Sequence, residues 1–131
     1  MVTLEAILER NNLNRAYKQV KANRGGPGVD GMTVDELLDY LRAHAVEIVE
    51  TVKAGKYKPQ PVRRVMIPKE EKGKFRPLGI PTAVDRVIQQ AIAQKLSDEY
   101  EPVFSLHSHG FRPCRSCRTA IDEALDIANQ G

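Results

Sequence analysis

The chain has 131 residues, with 20 lysines and arginines against 17 aspartates and glutamates, no tryptophan, four tyrosines and three phenylalanines. That length suits one modest domain, with a core that must rest on Leu, Ile, Val and Ala. No apolar run approaches the ~20 residues of a membrane span. The N-terminus lacks the basic and apolar regions of a secretory signal, and two cysteines do not suggest a disulfide framework, so a reducing cytoplasm of bacterial type is the expected compartment.

Thr3 can cap a short helix with Leu4, Ile7 and Leu8 on one face, and Asn11 or Asn12 a second with Leu13, Ala16, Tyr17 and Val20 inward. Four glycines and a proline make Asn23–Gly31 a loop. Thr33 and Glu36 form a capping box for a long helix with Leu37, Leu38, Leu41, Ala45, Ile48, Val49 and Val52 inward, stopped by Gly55. Pro59 and Pro61 enforce an extended approach to a strand over 62–67. A polar turn containing Gly73 leads to a second strand over 75–80, which Pro77 marks as an edge. Thr82 and Asp85 start a helix over 83–100, with Val84, Val87, Ile88, Ala91, Ile92 and Leu96 inward and Pro102 at its end. The hairpin is expected to lean on that helix, because an isolated two-stranded ribbon is marginal. A loop with a third short strand over 109–112 follows. Ser116 then caps a last helix with Ala120, Ile121, Ala124, Leu125 and Ala128 inward. The fold class is α+β, mostly helical with one antiparallel β-hairpin. The chain reads as a single domain: a helical N-terminal part with a glycine-rich loop (1–60), a basic hairpin (61–82), and helices around a loop (83–131).

Charge is segregated along the chain. Lys53–Arg76 holds nine basic and two acidic residues, so these 24 residues carry +7 while each flank carries −2. Such a local field is the footprint of a phosphate-rich partner, because neutralising phosphates releases condensed counterions. The basic patch comprises Lys53, Lys56, Lys58, Arg63, Arg64, Lys72 and Lys74. Lys69 and Arg76 close the two ends of the hairpin turn and project a paired positive charge, one a point charge and one a bidentate fork, which suits a polyphosphate or a nucleic-acid backbone. The bland alternative is an edge strand protected by charge.

Two further motifs carry less. Gly26-Pro27-Gly28-Val29-Asp30-Gly31 spells G-x-G-x-x-G, but a helix rather than a strand precedes it, and Pro27 removes an amide that a phosphate would use. Cys114-Arg115-Ser116-Cys117 is a lone C-x-x-C without a second pair. A cramped Cys2His2 cluster with His107 and His109 is the alternative its spacing leaves open, and a redox pair would want a thioredoxin-like context that is missing. No metal site is expected in these residues.

Three blocks, in order, resemble one family. Ile67-Pro68-Lys69, Phe75-Arg76-Pro77-Leu78-Gly79-Ile80-Pro81-Thr82 and Asp85-Arg86-Val87-Ile88-Gln89-Gln90-Ala91-Ile92 look like the first conserved block of group II intron reverse transcriptases. Ser108-His109-Gly110-Phe111-Arg112-Pro113 with Arg115-Ser116-Cys117 resembles the second. Gly25–Thr33 resembles the N-terminal extension upstream of the core. The resemblance implies a reverse-transcriptase fingers subdomain of an RNA-directed DNA polymerase that is also a splicing maturase of a retroelement. It implies that Lys69 and Arg76 hold the deoxynucleotide triphosphate and that Phe111, Arg112 and Pro113 lie on the template side. The loop with Asn23, Arg24, Gly25, Gly26 and Gly28 would act as a lid over the template. The implied partners are intron RNA, a template/primer duplex and deoxynucleotide, with Mg2+ required in the full-length enzyme. The metal-holding aspartates of that family, including its Tyr-x-Asp-Asp turn, are absent, so the chain alone is expected to be inactive. Position 114 departs from the pattern: Cys stands where the family commonly has Gly, so a positive φ there would carry strain. The alternatives are an RNA-anchoring module and a dimerisation domain that acts without chemistry, the latter forming a homodimer through an apolar face.

Overall fold

Short capping signals set most helix starts in the computed structural model, which describes Met1–Gly131. The order is α1 (Leu4–Ile7), α2 (Arg10–Asn23), α3 (Val34–Lys53), β1 (Arg63–Pro68), β2 (Phe75–Ile80), α4 (Ala83–Tyr100), a 3-10 turn (Glu101–Val103) and α5 (Cys117–Asn129). The α+β expectation holds. Thr3 Oγ1 accepts from Ala6 N, and Thr33 Oγ1 accepts from Glu36 N. Gly55, at φ +70, stands just past the end of α3, where a left-handed residue closes the helix at low cost. Ser116 and Thr119 form a full capping box for α5. The second helix departs from expectation. It starts at Arg10 behind Glu9, with no side-chain cap.

Asn12 is instead a core residue. Its Nδ2 donates to Ile7 O (2.8 Å) and Ala91 O (3.1 Å). Gln94 Nε2 donates to Asn12 Oδ1 (2.9 Å) and to Asn12 O (3.2 Å). Both side chains are buried, and buried amides are tolerated only when bonded in this way. Asn12→Ala would remove the amide that joins Gln94 Nε2 to the Ile7 and Ala91 carbonyls, leaving Gln94 its bond to the backbone carbonyl of residue 12. It is expected to lower stability by about 2–3 kcal/mol, read as a reduced urea midpoint.

The core is made of small side chains. Ala16 and Val20 of α2, Val34 and Leu37 of α3, and Ala83, Val87 and Ala91 of α4 form its buried cluster, with Ile7, Leu13, Tyr17, Met32, Leu41 and Val84 packed around it. The buried stripe of α4 is Ala83, Val87, Ala91 and Gln94. Ile92 and Leu96, expected inward, are exposed, because the stripe is centred on the neighbouring helical positions. Ala45 of α3 is also exposed. All three phenylalanines lie at the surface.

β1 and β2 form a two-stranded antiparallel sheet, from Arg63 opposite Ile80 to Pro68 opposite Phe75. Only Val65, Ile67 and Ile80 of its residues are half-buried, and the others are exposed. The expected packing of the hairpin along α4 is therefore not formed over its outer part. The ladder and a turn closed by Lys69 N to Lys74 O (2.8 Å) hold it. The expected third strand is also missing. Phe111 sits at φ +56, which breaks an extended run.

The chain divides into two compact units, Met1–Lys95 and Leu96–Gly131. The second unit has no buried residue in α5. Ile121 and Leu125, predicted to point inward, are more than half exposed, as is Ile127. Amphipathic periodicity sets which residues share a stripe; burial requires a facing surface. No helix is long and apolar enough to cross a membrane.

Candidate nucleic-acid and nucleotide interface

Strand pleating sorts the hairpin's charges. Alternate side chains face opposite ways, so Arg63, Val65 and Ile67 share a face with their partners Ile80, Leu78 and Arg76. The same parity carries Lys69 and its partner Lys74 onto that face. Lys69 and Arg76 are therefore diagonal neighbours, not a facing pair. They flank one end of a strip of Val65, Ile67, Leu78 and Ile80, with Arg63 at the other. Lys69 and Arg76 are exposed. Lys74 pairs with Glu71 at 2.5 Å, with both side chains largely exposed. Arg64 has the opposite parity, with Met66 and Phe75, and Lys72 lies in the turn with Gly73 (φ +80).

The glycine-rich loop is bolted down rather than free. Arg63 Nε donates to Pro27 O (2.9 Å), and an Arg86 terminal nitrogen donates to Gly26 O (2.8 Å). Gly28 is buried, and a Cβ there would lie 2.7 Å from Thr82 N and Cα. Only glycine lets the loop approach that backbone. Asn23 ends α2, and Arg24 turns the chain at φ +49. The candidate template-side residues of this loop thus sit beside the junction of β2 and α4, along with Arg63 from the basic patch.

The connector between α3 and β1 carries Lys56 and Lys58, which are exposed, as is Lys53 at the end of α3. The connector is tied to α4 by Asp85, which is 3% exposed. The Asp85 carboxylate accepts from the Tyr57 hydroxyl and from Gln60 N (2.9 Å), while Asp85 N donates to Thr82 Oγ1 (3.2 Å). Burial, then the Asp85 hydrogen bond, raises the Tyr57 hydroxyl well above its ordinary value of 10.0. A raised pKa means that the unfolded chain loses this proton first, so the contribution is present below pH 10 and lost above it.

In the second unit Arg112 is an organiser. Its side chain is 7% exposed. Its guanidinium donates to both carboxylate oxygens of Glu101, to Ser105 O (2.8 Å) and to Ser108 O (2.6 Å), and it lies 5.3 Å from the Phe104 ring centroid. Arg115 adds bonds to Leu106 O and Ser108 O. Phe111 and Pro113 are exposed beside it. Cys114 adopts φ +60, the left-handed geometry that favours the expected glycine.

His107 Nδ1 and His109 Nε2 each bond one oxygen of Glu123, and not the cysteines, which are free and exposed. Hydrogen bonds from His109 and His107 hold the Glu123 carboxyl below its ordinary 4.5, and Arg112 does the same for Glu101. Depressed carboxyls stabilise above the unfolded value and cease to do so as pH falls through the folded one. Amide exchange in 101–123 is expected to accelerate as pH drops below 4.5 beyond the intrinsic change in exchange rate, and Glu123→Gln to remove part of that dependence.

A second basic surface escaped the regional charge count. α2 has Arg10, Arg15, Lys18 and Lys21 and no acidic residue, but averaging over Met1–Val52 hides it behind the acids of α3. Asn11, Asn14, Arg15, Lys18 and Gln19 line an open depression of about 450 Å³ on it. A charge count by predicted element would have found this face. Asp85, Tyr57, Asn12 and Arg86 had no comparable signal, since their partners are distant in sequence.

No protein-family profile matches the chain. Individual proteins do. The chain is 44% identical over 106 residues to the group II intron-encoded protein LtrA of Lactococcus lactis subsp. cremoris, covering 81% of this chain and 18% of that protein. It is 42% identical over 120 residues to protein YkfC of Escherichia coli, covering 90% and 31%. It is 36% identical over 109 residues to a putative COX1/OXI3 intron 2 protein of Saccharomyces cerevisiae, covering 81% and 12%. The chain thus spans between about an eighth and a third of the length of these relatives. By these matches it belongs with the group II intron-encoded proteins, of whose length it spans only a part.

Proposed function

We propose that this chain is the fingers portion of an RNA-directed DNA polymerase that also serves as an intron splicing maturase. In this reading it holds template, deoxynucleotide and intron RNA. The observation that carries it is the hairpin face, where exposed Lys69 and Arg76 end an apolar strip. Cationic donors at the tip match a triphosphate in charge and geometry, and the strip beneath suits a sugar and base. Phe111, Arg112 and Pro113 stand on the template side, with Arg112 shaping the loop from inside. Lys53, Lys56, Lys58, Arg64, Lys72 and Lys74, joined by the α2 face, meet RNA phosphates. In this reading the Mg2+ of polymerisation would be held by carboxylates of a longer protein.

An RNA-anchoring role without chemistry is the second reading, favoured by the acid-free basic face of α2. Titrating the chain with a structured group II intron RNA and with an unrelated duplex, across salt, tests both. Selective binding that persists near physiological salt supports the anchoring role within the chain itself. Weak, unselective binding that vanishes with salt leaves template and nucleotide holding as its work. No binding to either RNA at low salt overturns the RNA-contact assignment of the basic surfaces.

A further inference from the structure

Arg86 lies outside both basic surfaces, yet the glycine-rich loop is shaped around it. One terminal nitrogen donates to Gly26 O, 60 positions away in sequence, at 2.8 Å. Its Nε is shielded from solvent and has no protein partner. The side chain helps line a hollow of about 270 Å³ with Val20, Asn23, Gly25, Gln89 and Gln90. A Cβ at Gly25 would lie 2.1 Å from the other terminal nitrogen of Arg86. Gly25 is not in the left-handed region, so its backbone would accept a side chain. A side chain there would have to push the guanidinium aside, away from Gly26 O.

We propose that Arg86 is a positioning residue. It sets the path of the loop over residues 24–28 by holding the Gly26 carbonyl, and Gly25 is glycine so that this guanidinium can lie beneath it. Arg63 on Pro27 O and the close approach of Gly28 to Thr82 hold the far end of the same segment. Through the loop, Arg86 governs where a template strand rests without being an RNA ligand itself. This last step rests on the template reading given above; the lock does not.

A double-mutant cycle separates the two. Amide exchange of residues 24–29 and affinity for a single-stranded oligouridylate are measured on the whole chain for Arg86→Ala, Gly25→Ala and the pair. Each single change is expected to speed loop exchange at least tenfold while the α2 and α4 amides keep their protection. The pair is expected to be no worse than either, because both remove the same bond. Gly25→Ala, which leaves every charge in place, is expected to weaken oligouridylate binding about as much as Arg86→Ala without changing its salt slope. Additive effects on exchange, or an unchanged loop in Arg86→Ala, would overturn the lock. A lower affinity and shallower salt slope in Arg86→Ala, with unchanged exchange, would make Arg86 an RNA ligand and overturn the proposal. The exchange cycle holding while oligouridylate affinity stays constant would keep the lock and remove the template role of the loop. Should Arg86→Ala fail to fold, Gly25→Ala compared with Arg86→Lys decides, since lysine offers one compact donor in place of the fork.

Discussion

On the proposed fingers reading, Lys69→Ala and Arg76→Ala in the full-length protein are each expected to lower kcat/KM for deoxynucleotide by about ten- to a hundredfold, with KM raised and kcat reduced. The magnitude follows from losing one charge-assisted hydrogen bond to phosphate, worth about 1.5–3 kcal/mol. Both side chains are exposed, so the fold should survive, and a matching denaturation curve would confirm that kinetics alone changed. Because Lys69 and Arg76 are diagonal neighbours on one face of the hairpin, they reach the same ligand from two sides. Their effects should therefore be less than additive if one anion bridges them. Arg76→Lys is expected to recover only part of the loss, since an ammonium cannot reproduce the fork. Intron RNA affinity should barely move, whereas alanines at Lys56, Lys58 and Arg64 should weaken RNA binding at every sequence and flatten its salt dependence. Unchanged nucleotide kinetics in both single variants would refute the assignment of these two residues to the triphosphate.

Asp85→Ala is expected to be the most destabilising single change in the first unit, at about 3–4 kcal/mol in urea unfolding. The residue is buried, and its loss leaves the Tyr57 hydroxyl and Gln60 N without their acceptor, each costing about 1–3 kcal/mol. The consequence reaches the interface. The connector holding Lys56 and Lys58 would come away from α4, and the root of β1 with it. Asp85→Asn keeps an acceptor oxygen and should cost less. Its diagnostic is the alkaline limb: with the carboxylate gone, Tyr57 should titrate closer to 10, followed by tyrosinate absorbance. A stability change below 1 kcal/mol for Asp85→Ala would show that the knot is incidental.

Much of this protein was legible before any coordinates. Helix caps at Thr3, Thr33 and Ser116, the stop at Gly55, the hairpin around Gly73 and the charge concentration at Lys53–Arg76 are local features. Each is decided by bonds or charges within a few residues, and so each was read correctly. The strain at Cys114 was also foreseeable, because a turn that favours a left-handed residue penalises any Cβ. The relatives bear out the intron-protein resemblance that the motifs suggested.

What failed were statements about facing surfaces. Ile92, Leu96, Ile121 and Leu125 are apolar at helical spacing, and spacing alone cannot say whether another surface meets them. Asn12 looked like a cap because its partners, Ala91 and Gln94, are about 80 residues away. The sequence marked Asn23–Gly31 only as a loop, whereas Arg63, Arg86 and Thr82 hold it from beyond its own neighbourhood. Local bonding and the charge pattern were determined by the sequence by itself. The fixing of the loop, the knot at Asp85 and the inward turn of Arg112 were decided only by the tertiary structure, since each depends on a partner that chain folding alone brings within hydrogen-bond reach.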